Sequence, residues 1–115
     1  MTYTISFPPS TNDMFLNNKG RGKGRIKSHE YRLWIGLAGL ELKRQKAVLH
    51  PGRNRIEIKL DDRRQGDCDN RIKPTLDLLV AAGVIEGDQK KFVKGVSIEW
   101  ADIDGCQVTI IPTEA

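Results

Sequence analysis

The chain has 115 residues, 38% hydrophobic and 30% charged, with a formal net charge of +4 and a pI near 9.2. One compact domain over residues 1–115 is expected, because the length excludes two ordinary ones and the composition excludes disorder. No apolar run approaches the ~20 residues that span a bilayer, and the net positive charge favours a polyanionic partner.

Met1 to Pro9 lacks a basic stretch followed by a long apolar one, so no signal peptide is read there and cytoplasmic residence is expected. Within it, Tyr3, Ile5 and Phe7 alternate with Thr2, Thr4 and Ser6, the period-two signature of a half-buried strand that Pro8 and Pro9 end. From Ser10 to Lys27 there is no periodicity, and a long loop is expected. A helix should begin near Ser28, a good N-cap, with Glu30 close to its positive end. Tyr31, Trp34, Ile35, Ala38 and Leu42 recur at helical spacing, and Leu33, Leu37 and Leu40 widen that stripe. Pro51 and Gly52 break the chain, after which Ile56, Ile58 and Leu60 alternate with Arg55, Glu57 and Lys59 as a second strand.

After a charged loop from Asp61 to Gly66, a second helix is predicted over roughly Asp69 to Ala82, with Gly83 as its stop. Pro74 belongs in a first turn, which moves the expected start a few residues past Asp69. Two strands, about Phe92 to Ala101 and Cys106 to Pro112, are joined by Asp102-Ile103-Asp104-Gly105, a hairpin signal. The order β-α-β-α-β-β predicts an α+β fold in which a mixed sheet packs on two helices. Cys68 and Cys106 lack the paired spacing of a zinc site and read as buried or idle thiols, with a disulfide the minority alternative. His29 and His50 have no ligand spacing and read as structural or exposed. Trp34 reads as core, and Trp100 as core or interface.

The most specific segment is Asp67-Cys68-Asp69-Asn70-Arg71-Ile72-Lys73, taken together with Gly87-Asp88 beyond the second helix. In extended backbone Asp67 and Asp69 share a side. Two carboxylates held together repel unless a proton or cation sits between them, and Mg²⁺ suits such oxygen donors. Lys73, four residues after Asp69, would lean back over the pair if the helix began at Asp69. Spacing alone does not bring Asp88 to that pit. Each element also has a plainer meaning: Asp69 as a helix cap, Lys73 with Asp77 as a solvated i, i+4 pair, Asp88 as part of a turn.

Between Leu16 and Lys27 every charge is positive: Lys19, Arg21, Lys23, Arg25 and Lys27, spaced by Gly20, Gly22 and Gly24. This loop does not match a nucleotide-cradling pattern. It reads either as a solvated loop or, favoured by the want of acidic neighbours, as a wrap for DNA phosphates.

In sum these features resemble the RusA family of Holliday-junction resolvases, found in bacteria and their prophages. The likeness runs from the early strand and Pro8-Pro9-Ser10-Thr11-Asn12, through the basic loop and Ser28-His29-Glu30-Tyr31-Arg32, to Asp62-Arg63-Arg64. It continues through the D-x-D-N-x-x-K run that ends in Lys73 and through Ala82 to Asp88. The resemblance implies a homodimer dependent on Mg²⁺ or Mn²⁺ that places paired, symmetric nicks across four-way branched DNA, with no small-molecule cofactor. It implies that Asp67, Asp69 and Asp88 are the essential carboxylates and metal ligands, and Lys73 the essential lysine. Two departures stand out. Many relatives carry two adjacent acids where this chain has Gly87 and Asp88, and Cys68 replaces a larger apolar residue.

On that reading Asp67, Asp69 and Asp88 would hold a cation able to activate water and polarise the scissile phosphate, and Lys73 would neutralise charge growing in the transition state. Arg21, Lys23, Arg25, Lys27, Arg63, Arg64 and Arg71 would hold backbone phosphates, and Asn70 would touch substrate or fix a neighbouring carboxylate. Two rivals remain open: a non-catalytic DNA-binding module, and a generic branched-DNA or flap nuclease.

Overall fold

The computed structural model describes residues 1–13, 15–17 and 25–113; for residues 13, 15–17 and 25–27 the backbone alone is described. Six strands and two helices follow in the order β1 (Thr2–Ile5), β2 (Phe15–Asn17), β3 (Arg25–Lys27), α1 (His29–Arg44), β4 (Asn54–Asp61), α2 (Ile72–Ala81), β5 (Val93–Ala101) and β6 (Cys106–Pro112). Leaving aside the small β2–β3 ribbon, this is the expected β-α-β-α-β-β order and an α+β fold.

The main sheet has the strand order β1-β6-β4-β5. It is mixed: β4 pairs with β5 in parallel and with β6 antiparallel, and β6 pairs antiparallel with β1. Register sets the core in rows. Tyr3, Val108, Ile58 and Ile98 line up across all four strands, as do Ile5, Cys106, Leu60 and Trp100. Alternation then sends Arg55 and Lys59 to the opposite, exposed face. The helices bury Tyr31, Trp34, Ala38, Leu42, Leu78 and Leu79 in the same core.

Ser28 caps α1 as expected, its hydroxyl accepting the Tyr31 amide at 3.1 Å. The apolar stripe of α1 is narrower than its sequence suggests. Leu33, Leu37 and Leu40 stay exposed, since they lie roughly two-fifths of a turn from the centre of the buried row.

Two further expectations are corrected. The stretch read as a loop contains a 3-10 turn over Thr11–Asp13 and an antiparallel ribbon, in which Phe15 pairs with Lys27 and Asn17 with Arg25. Three-residue strands are too short to display alternation, so periodicity misses them. The second correction concerns β5 and β6, which do not form a hairpin pair. β4 lies between them, so the Asp102–Gly105 connection spans two strand spacings, roughly 10 Å. It does so by crossing the end of β4, where the Asp61 amide donates to Gly105 O and the Asp62 amide to Ala101 O, each at 3.0 Å. Gly105 adopts φ +66°, and a Cβ there would sit 2.6 Å from the Ile5 carbonyl oxygen. Turn residues report that the chain reverses, not that the strands on either side are neighbours.

Both cysteines are free thiols, and burial pushes the Cys106 thiol up to about 12. Cys106 is a small core side chain, inert at neutral pH.

Candidate active site

The site is built around the two ends of α2. Its C-terminus closes with Gly83 at φ +72°, the Gly83 amide donating to Val80 O at 3.1 Å and the Val84 amide to Leu79 O at 2.8 Å. This pair of bonds reverses the chain and buries Val84 and Ile85. The His50 amide then holds Val84 O at 2.8 Å, and the Gly52 amide donates to Glu86 Oε2 at 3.3 Å. The reversal carries Asp88 back alongside α2, where its Oδ2 lies 3.6 Å from Lys73 Nζ. Here is the further turn that spacing alone did not supply.

Gly87 explains the vacancy before Asp88. It is buried, and a Cβ there would meet the Gln89 side chain and come within 2.8 Å of the Phe92 ring. A second acid at this position requires Phe92 to move.

Lys73 points the other way from expectation. Helical side chains lean toward the N-terminus, which would take its ammonium over Asp69. Instead Lys73 Nζ donates to Asp77 Oδ1 at 3.1 Å, one turn further on, and faces Asp88. The reason is Asp77, whose other oxygen, Oδ2, accepts the Tyr31 hydroxyl at 3.1 Å. The sequence admits Asp77 only as half of a solvated pair; the structure ties it to α1. Tyr31 is 1% exposed and stacks on Trp34, with ring centroids 6.4 Å apart. Burial first, and then the Asp77 charge, raise the Tyr31 hydroxyl far above its ordinary value, so it stays a donor. Lys73 is likewise raised, chiefly by its hydrogen bond to Asp77 and to a smaller degree by Asp88. Tyr31, Ile35, Asp77, Val80, Ala81 and Asp88 line an open groove of about 400 Å³.

Asp67 and Asp69 come just before α2, at the N-terminal end that also carries Lys73. Asp67 precedes a 3-10 turn over Cys68–Arg71 and makes no side-chain cap bond; Asp69 is inside the turn. The backbone from Cys68 onward is therefore coiled, and the rule that residues two apart share a side does not apply. Both carboxylates are exposed. Their donor type fits a hard cation such as Mg²⁺. Among the described residues no group of three or more His, Cys, Asp or Glu side chains is drawn together at a metal-binding distance. What the structure joins directly is Asp88 to Lys73.

The basic residues expected to meet DNA divide by environment. Arg63 is tied to protein, its guanidinium bonding both Asp61 oxygens, at 3.0 and 3.1 Å, and also Asp104. Arg71 donates to Pro8 O at 2.9 Å and Gln65 O at 3.3 Å, and lies over the Phe7 ring. Arg64 covers the same ring from an exposed position, and Phe7 in turn stacks on Trp100. The Asn70 carbonyl accepts the Thr11 hydroxyl at 2.8 Å. Arg21 and Lys23 lie outside the described residues; Arg25 and Lys27 belong to β3, their side chains not described.

The structure also gathers a cationic surface that chain order conceals. Arg53, Gln89, Lys90 and Lys91 line an open groove of about 620 Å³ on the turn that follows Asp88. The Asn54 amide bond to Phe92 O at 2.9 Å is what brings the two segments together. Arg53 Nε is buried there without a hydrogen-bond acceptor. Among the described residues none of the three cations is in an ion pair.

No protein-family model matches the chain. Curated relatives do. It is 31% identical over 80 residues, 70% of this chain and 67% of the relative, to the crossover junction endodeoxyribonuclease RusA of Escherichia coli strain K12. The same identity and coverage relate it to the proteins of that name from Enterobacteria phage 82 and Shigella sonnei. The chain belongs to the RusA family. Seen as a RusA-family domain, it carries the family's aspartates at Asp67, Asp69 and Asp88 only by resemblance. What its geometry adds is the meeting of Lys73 with Asp88, and the Asp77–Tyr31 pair behind it.

Proposed function

We propose that this protein is an endodeoxyribonuclease that resolves Holliday junctions by paired, symmetric nicks in four-way DNA during recombination and repair in the cytoplasm. Membership of the RusA family is the observation that carries the reading. The contact between Lys73 and Asp88 supports it, because an ammonium beside a carboxylate suits a phosphodiester under attack. The Lys73 ammonium would donate to a phosphate oxygen as negative charge grows. Arg64 and the groove of Arg53, Lys90 and Lys91 would hold neighbouring phosphates, positioning the backbone without reading bases.

Dependence on Mg²⁺, with Mn²⁺ substituting, belongs to the proposal, as does the assignment of Asp67, Asp69 and Asp88 as its ligands. Support comes from their oxygen chemistry alone, so no step is derived through the ion. A two-copy assembly is the third part, since two sites related by a two-fold suit two symmetric cuts. The exposed row Leu33, Leu37 and Leu40 on α1 supports it, as does Gly36 in their midst, above which space is open.

The test is a fixed four-way junction beside a linear duplex, each incubated with Mg²⁺ or with a chelator. Symmetric nicks in the junction alone, abolished by chelation, are expected. Asp88→Asn and Lys73→Ala should each lower the cutting rate on the order of 100-fold while leaving junction binding intact. Binding without cutting, unaltered in Asp69→Asn, would make the protein a binding module. Equal cutting of the duplex would make it a generic nuclease.

A further inference from the structure

A lysine side chain on a helix surface has four rotatable bonds and gives up much rotamer entropy when fixed. A single exposed ion pair rarely offsets that. Lys73 is about half exposed, and its 3.6 Å approach to Asp88 is a loose one. Something else must hold its ammonium in place. Asp77 does so only because it is itself immobile: its side chain is 25% exposed, and one oxygen is fixed by a hydroxyl rooted in the core. Tyr31 in turn cannot swing away, because its ring is stacked on Trp34, and the Trp34 indole N–H donates to Ser6 O at 3.0 Å. The sequence Trp34, Tyr31, Asp77, Lys73, Asp88 therefore runs without a gap from the core of the domain to the groove.

We infer that Asp77, anchored by the Tyr31 hydroxyl, is the positioning residue for Lys73, and holds its ammonium beside Asp88 for the cutting step. Neither Asp77 nor Tyr31 needs to touch DNA for this. The inference rests on the proposed nuclease reading for what the lysine does, but not for where it is held. Asp77 also draws Lys73 away from the exposed carboxylates of Asp67 and Asp69, which precede α2 and toward which its own helical lean would point it.

Two measurements test it. The first uses metal-free protein without DNA: the rate at which a water-soluble N-hydroxysuccinimide ester acylates Lys73, followed by peptide mass spectrometry. Tyr31→Phe, which keeps the ring packing, and Asp77→Asn should each speed labelling of Lys73 severalfold, while labelling of Lys59 on the opposite face of the sheet stays constant. The second is junction cutting. Tyr31→Phe should lower kcat about tenfold with KM and melting temperature nearly unchanged, and should add no further loss in a Lys73→Ala background. A purely structural role would lower stability and persist in that background. Labelling that does not change in either variant overturns the inference. If the wild type cuts no junction, the nuclease reading fails, and the labelling result still decides whether Asp77 holds Lys73.

Discussion

Asp61 shows how a single residue can be read wrongly from its neighbours. It sits at the end of β4, 6% exposed, where the Arg63 side chain and then the Arg63 backbone amide hold its carboxyl at about 2. Arg63 therefore serves as a brace between β4 and the Asp102–Gly105 connection, since it also reaches Asp104 and Ile103 O. Because the folded-state value is depressed, the unfolded chain binds a proton first as pH falls, and stability drops. The contribution is fully present above about 4, the ordinary carboxylate range, and is lost as pH falls toward about 2. Denaturant midpoints measured from pH 5 to pH 2 should show this loss in the wild type and a shallower one in Arg63→Met. An equal slope in both would show that the brace does not hold Asp61. The candidate site divides in the same way. Lys73 and Asp88 could be singled out from a family-like pattern, but their meeting could not, because it depends on the chain reversal after α2. Asp77 and Tyr31 could not be singled out, because an i, i+4 acid and an aromatic in an apolar stripe have ordinary meanings until a hydroxyl is seen to join them.

Elements were legible where a repeating pattern or a terminating residue marked them. Both helices and all four strands of the main sheet follow from periodicity, and Ser28 and Gly83 stand where the caps were expected. The end of α1 was less open to reading. Gln45 is its C-cap, Lys46 follows at φ +58°, and the amides of Lys46 and Ala47 donate to Lys43 O and Leu42 O, each at 3.0 Å. This is the same closing motif as at Gly83, built on a residue that pays for a left-handed backbone. Lys46→Gly should remove that strain and stabilise the fold by about 1 kcal/mol, raising the melting temperature by roughly 4 °C in calorimetry. No gain would mean that the lysine side chain makes up for its backbone. The pairing of elements was harder still: nothing within β5 and β6 announces that β4 will come between them.

For the whole molecule, the α+β class and the mixed sheet were expected, while the surfaces beyond the core were not. Arg53 and Lys90 are far apart in the chain and share a groove only because β4 and β5 run parallel. The apolar row on α1 was assigned to the core, yet lies outside it. If that row joins two copies, Leu37→Glu should give a monomer by light scattering at concentrations where the wild type is a dimer, with helix content unchanged. It should also uncouple the two nicks, so that products cut on one strand accumulate. A wild-type monomer, or a dimer undisturbed by the change, would place the partnership on another face.

The placement of β6 between β1 and β4 bears on how the protein is made. Until residue 112 has cleared the ribosome, the strand that links the first to the middle of the sheet is incomplete, and Tyr3 and Ile58 have no Val108 between them. Helices can form early, but the sheet must wait for its last piece, so a nascent chain offers chaperones an unfinished edge on either side of the gap.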